Sequence, residues 1–122
     1  MSTTVAGVLV TLRFTVSDVD RFTAEAAEAL AALSACPGYE RGQLGQAYDD
    51  SAQWSLVTEW SSVGAYRRAL GSYDVKMRAT QLLSRAVPEA SAFEVRASAE
   101  PGGPVTGRGS DRANHSQITS RS

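Results

Sequence analysis

Trp54-Ser55-Leu56-Val57-Thr58-Glu59-Trp60-Ser61-Ser62-Val63-Gly64-Ala65-Tyr66 is the stretch on which the fold turns. In its first half, Trp54, Leu56, Thr58 and Trp60 alternate with Ser55, Val57 and Glu59. Period two with aromatic and β-branched residues predicts a strand with one well-buried side. Ser61 or Ser62 can then accept the orphan N–H bonds of a helix start. Beyond them Val63, Tyr66, Leu70, Tyr73 and Met77 recur at spacings of 3, 4, 3 and 4. That stripe predicts a helix, with Gly71-Ser72 placed to interrupt or bend it. Leu82, Leu83 and Ala86 close the helical region before Pro88.

Working outward, Val8, Val10, Leu12, Phe14 and Val16 share one face of a first strand, with Thr11, Arg13 and Thr15 on the other. Ser17 or Asp18 can cap the helix that follows, and its apolar stripe is Val19, Phe22, Ala26, Leu30 and Leu33. Cys36-Pro37-Gly38 ends it, because proline cannot continue a helix. Tyr39 to Tyr48 predicts a second strand, with Gly42 and Gly45 marking a bulge or a close backbone approach. Asp49-Asp50-Ser51 supplies the hairpin turn. A last strand, Ala92 to Ala97, is expected to carry Phe93 and Val95 on one face. The order is β-α-β-β-α-β. The fold class is therefore α+β and ferredoxin-like, a four-stranded antiparallel sheet with helices on one face. Leu9, Val57 and Ala92 are expected to leave the second face of that sheet partly apolar.

Length and composition set the outer bounds. A chain of 122 residues has room for one domain, and 43% hydrophobic residues suffice for a core. Residues 1–97 are expected to form that domain, and residues 98–122, rich in Gly, Pro, Ser and Arg, a disordered tail. Residues 1–97 hold 9 Lys and Arg against 11 Asp and Glu, and the remainder 3 against 2, so neither part is a polyelectrolyte. The net charge of −1 argues against nucleic acid or an anionic membrane as the main partner. Cys36 is the only cysteine, which excludes an internal disulfide and Cys-based metal sites. The apolar run Val5 to Leu12 is too short for a signal or a membrane span, so a cytoplasmic location is expected.

Three elements of the sequence resemble the antibiotic biosynthesis monooxygenase domain family, of the dimeric α/β-barrel superfamily. They are Pro37-Gly38-Tyr39-Glu40-Arg41-Gly42, the Asp49-Asp50 turn, and Glu59-Trp60 followed by Ser61-Ser62-Val63-Gly64-Ala65-Tyr66. The resemblance spans roughly residues 7–97. It implies a homodimer whose two sheets pack into one barrel, with a pocket between sheet and helices in each subunit. Heme-degrading members use an asparagine, a tryptophan and an iron-ligating histidine. The histidine would fall nine residues after Trp60, where this chain has Ala69; its only Asn114 and His115 lie in the expected tail. No metal or other cofactor is therefore expected.

The branch that oxidises aromatic polyketides without metal or flavin is similar in residue type and spacing. There a tryptophan ending the third strand and a tyrosine on the next helix line the pocket, as Trp60 and Tyr66 would here. These two are the expected catalytic residues. Tyr73, Phe14 and an assisting arginine, Arg78 or Arg85, are expected to bind the substrate. The implied activity is cofactor-independent monooxygenation of an electron-rich, polyketide- or quinol-like aromatic molecule by molecular oxygen. Such a substrate supplies its own electrons, so the protein has to stabilise an anion and exclude water. A different reading is a dimeric barrel that binds a small hydrophobic molecule and catalyses nothing. Trp60, in phase with Trp54 and Leu56, would then be core, and the tyrosine stripe helix packing.

Overall fold

The computed structural model of the chain describes residues 7–109. Strand β1 (Val8–Thr15) leads into helix α1 (Val19–Ser34), followed by β2 (Tyr39–Gln46) and β3 (Gln53–Trp60). Helices α2 (Val63–Leu70), α3 (Tyr73–Arg78) and α4 (Thr80–Leu83) then precede β4 (Ala92–Glu94). The sheet is four-stranded and antiparallel in the order β2-β3-β1-β4. This is the ferredoxin-like arrangement that the element order predicts.

Helices α1, α2 and α3 each begin where a side chain satisfies an orphan N–H group, whereas α4 starts without a side-chain cap. Asp18 caps α1 through Arg21 N, and Ser62 caps α2 through Ala65 N. Ser72 caps α3, so Gly71-Ser72 ends one helix and starts another. The core lies between α1 and the inner sheet face. Ala26, Ala29 and Ala32 are fully buried and share this core with Val10, Leu56 and Trp60. Val19, expected on that stripe, is instead 38% exposed in the first turn.

The sheet departs from expectation in two places. The bulge falls between Tyr39 and Arg41 and not at a glycine; the extra residue is Glu40. It leaves Tyr39 opposite Trp60 on the inner face and Arg41 opposite Glu59 on the outer one, where the two charges pair at 3.4 Å. On β4, Phe93 lies opposite Leu9 and Ala92 opposite Val10. Residues directly opposite in a ladder share a face. Phe93 therefore joins Leu9 and Val57 on the outer face, and Ala92 lies on the inner side, the reverse of the sequence expectation. The second strand also stops at Gln46, with Tyr48 wholly exposed.

Within residues 98–109, expected as part of a disordered tail, the chain forms a short strand pairing. Strand β5 (Ala97–Ser98) pairs with β6 (Thr106–Gly107) across a turn in which Gly103 N donates to Glu100 O. Backbone bonding continues from Arg108 N to Arg96 O. Composition alone undervalued these local hydrogen bonds. Residues 110–122, with Asn114 and His115, lie outside the described residues. No helix among the described residues is long and apolar enough to cross a membrane.

Candidate functional site

Two aromatic clusters occupy the inner sheet face. The first is centred on Trp60, which is 0% exposed and packed against two other rings. Tyr39 meets it edge-on, with centroids 5.4 Å apart and an interplanar angle of 88°. Tyr66, one turn into α2, lies 5.5 Å away at 53°. The indole N–H donates to Thr58 Oγ1 at 2.8 Å, and Thr58 is itself buried. This bond satisfies a polar group that burial would otherwise penalise. It also commits the N–H to the protein, so Trp60 is a packed ring with its donor already engaged.

Donors at this end come from the two tyrosines. Neither phenol hydroxyl hydrogen-bonds to another described residue. Burial pushes the Tyr66 phenol above its ordinary value of 10.0, and the Tyr39 phenol in the same direction. Both are therefore protonated at neutral pH and able to donate to an oxyanion.

The second cluster sits at the other end of β1 and β3. Phe14 packs on Phe22 at 5.2 Å, and Phe22 on Trp54 at 5.5 Å. Phe14 is opposite Trp54 in the ladder, as Val8 is opposite Trp60. Six residues of strand separate the two ends, about 20 Å. Here the surface opens into a groove of about 360 Å³ floored by Phe14, Val16 and Phe22. Its rim is charged: Asp18, Arg21 and Glu25 from α1, and Arg85 from beyond α4. Glu25 accepts from both Arg85 and Arg21.

The expected site residues are thus divided. Trp60 and Tyr66 come together at one end, and Phe14 and Arg85 at the open groove. Tyr73 and Arg78 line neither. Tyr73 opens α3 with its side chain 78% exposed. Arg78 is gripped by Asp74 of its own helix at 2.9 Å and by Glu28 at 3.0 Å, the latter pair tying α3 to α1. Sequence reasoning overlooked Thr58, Tyr39 and Glu25. Thr58 had a signal, lying two residues before Trp60 on the same strand face; the other two are joined to the clusters only by tertiary packing. Among the described residues, no group of three or more His, Cys, Asp or Glu side chains is placed to hold a metal ion.

No protein-family profile matches the sequence, and no curated protein does. Solved structures do. SnoaB, a cofactor-independent oxygenase from Streptomyces nogalater, is 27% identical, with a TM-score of 0.66. The match covers 75% of this chain and 95% of SnoaB. Together with solved proteins assigned as antibiotic biosynthesis monooxygenases, this neighbour supports placing the chain in that domain family. Lower identities extend the fold of this family alone. A conserved protein from Methanosarcina mazei matches at 15% identity and TM-score 0.61, over 73% of this chain and 92% of its own. A protein from Caulobacter crescentus assigned as an antibiotic biosynthesis monooxygenase matches at 14% and 0.58, over 74% and 91%. Within this monooxygenase-type domain, the Trp60 cluster stands where the third strand hands over to the second helical region.

Proposed function

We propose that this protein is a cofactor-independent monooxygenase for an electron-rich aromatic molecule of the polyketide or quinol type, working at the Trp60 end. One observation carries the reading: the Tyr66 phenol, protonated and without a described protein hydrogen-bond partner, lies against a fully buried indole. Its likeness to SnoaB, a cofactor-independent oxygenase, exceeds a likeness of fold. Ground-state oxygen reacts slowly with closed-shell molecules unless a cofactor or the substrate itself supplies electrons. An anthrone-type ring does so once its methylene is deprotonated. The carbanion then reduces oxygen: one oxygen atom becomes the ring carbonyl, and the other leaves as water with the two methylene hydrogens. Tyr66 donates to the developing oxyanion, and the Trp60 face walls off solvent.

The test is oxygen uptake by the metal-stripped full-length chain with an anthrone-type substrate. Tyr66→Phe is expected to lower kcat about 100-fold, the loss typical of one oxyanion donor. Arg85→Ala, at the distant groove, is expected to leave kcat within about 3-fold, a shift of under 1 kcal/mol. The opposite pattern, or uptake only after iron or heme is added, sinks this reading.

A second reading is ligand binding without catalysis, and the open Phe14–Arg85 groove favours it, because the Trp60 N–H is already engaged by Thr58. Absence of uptake, together with ligand affinity that Arg85→Ala abolishes, selects it. Either reading takes the protein as a homodimer joined through the outer sheet face. Leu9 and Phe93, opposite each other there, are 36% and 47% exposed. Light scattering is expected to give twice the chain mass for the wild type and a monomer for Phe93→Asp.

A further inference from the structure

The sharp turn before β2 places a second phenol at the Trp60 site. Gly38 adopts φ +91°, a left-handed conformation natural to glycine, and any Cβ there would collide with Ala65 of α2. Its carbonyl accepts from Ser61 N at 2.8 Å, clamping the turn to the end of β3. The bulge at Glu40 then keeps Tyr39 on the inner face, directly opposite Trp60.

From there the Tyr39 side chain lies over Gly42. A Cβ on Gly42 would come 2.5 Å from the Tyr39 hydroxyl, 2.9 Å from Leu30 Cδ1 and 3.0 Å from Thr58 Cγ2. Gly42 is thus a close-approach glycine that makes a notch for the phenol head, and no hydrogen bond to a described residue fills it. Since β2 is an edge strand, the notch lies at the border of the sheet. The two phenols without hydrogen-bond partners among the described residues both pack against one indole, whose own donor Thr58 occupies.

Building on the reading that the Trp60 end is the substrate site, we propose that Tyr39 is a second oxygen-binding residue. The preferred ligand is then an aromatic ring oxygenated at two positions, one oxygen held by Tyr66 and the other by Tyr39 in the Gly42 notch. A ring with one oxygen leaves a partly buried phenol unmatched, and a bare hydrocarbon leaves two.

The experiment is calorimetric titration of the full-length protein with anthraquinone-2-sulfonate and with anthracene-2-sulfonate, the same skeleton without its two carbonyl oxygens. Wild type is expected to prefer the quinone by at least about 10-fold. Tyr39→Phe is expected to cut that preference about 5-fold, as the loss of one neutral hydrogen bond does, while leaving the hydrocarbon affinity unchanged. Gly42→Ala, which pushes the hydroxyl out of its notch, is expected to do the same; a thermal melt shows whether each variant remains folded. An unchanged preference in folded Tyr39→Phe overturns the proposal, as does a wild type that binds the two probes equally or binds neither. A quinone preference that depends on Tyr39, without oxygen uptake, removes the oxygenase reading and keeps this one. Normal uptake with no effect of Tyr39→Phe on preference, KM or kcat does the reverse.

Discussion

The Trp60 and Phe14 ends of the inner sheet face are both aromatic, yet one packs its central ring fully and the other leaves a groove over its rings. At the Trp60 end, small residues let the backbone close in: Gly38 sits against Ala65, and the indole is left with no exposure, although Tyr39 and Tyr66 are only partly buried. A buried N–H needs an internal partner, and Thr58 provides it at 2.8 Å. At the open end, α1 is only beginning, and its first turns carry Asp18, Arg21 and Glu25, which remain near water. The aromatic floor there is accordingly left with a groove above it. Aromatic content alone does not make a pocket; the size and charge of the neighbours decide whether rings are packed or presented.

Mutating each end probes the contrast, and the largest effect is expected at Trp60. Trp60→Ala should cost about 3–5 kcal/mol in chemical denaturation, as for other buried aromatics replaced by alanine. Trp54→Ala, whose ring is only partly buried, should cost clearly less. Equal losses would erase the distinction between the ends.

Thr58→Val keeps the shape and removes the acceptor, leaving the buried indole N–H without its partner. A loss of about 1–3 kcal/mol is expected, with Thr58→Ser recovering much of it. No loss on Thr58→Val would show that the indole finds another acceptor, and the N–H could then face a ligand after all.

The groove rim should respond far more weakly. Arg85 and Glu25 are 49% and 33% exposed, so their ion pair is screened by water. Arg85→Ala is expected to cost less than about 1 kcal/mol. A larger loss would mean that the open end is structurally braced by its charges.

The smallest effect is alkaline. The Tyr66 phenol lies above 10.0 in the folded state because burial disfavours the phenolate. Its contribution to stability is fully present below the unfolded value, about pH 10, and is lost as pH rises through the higher folded value. Tyr66→Phe should therefore flatten the fall in stability above pH 10 and leave neutral pH unaffected. A phenolate absorbance band that reaches full amplitude at pH 10 would contradict the burial argument.

Much of this architecture is written locally. Alternation from Val8 to Val16 and from Trp54 to Trp60, the caps at Asp18 and Ser62, and the break at Gly71-Ser72 each depend on residues within about one helical turn of one another. The order of elements could therefore be read along the chain, and with it the inner placement of Phe14, Trp60 and Tyr66. The same local signals misplaced Phe93, because a three-residue strand has too little alternation to declare its face, and only pairing with Leu9 does so.

What tertiary structure decided is which side chains meet. Trp60 and Phe14 belong to the same apolar face in sequence, but strand length holds them about 20 Å apart. Glu25 meets Arg85 from 60 residues away, and Arg78 meets Glu28 from 50. No periodicity encodes such pairings, since they arise from how α1, α3 and the segment after α4 pack together. The indole donor of Trp60 stands between the two cases: its partner Thr58 lies two residues away on the same strand face, but only burial of both by the surrounding structure makes that bond necessary.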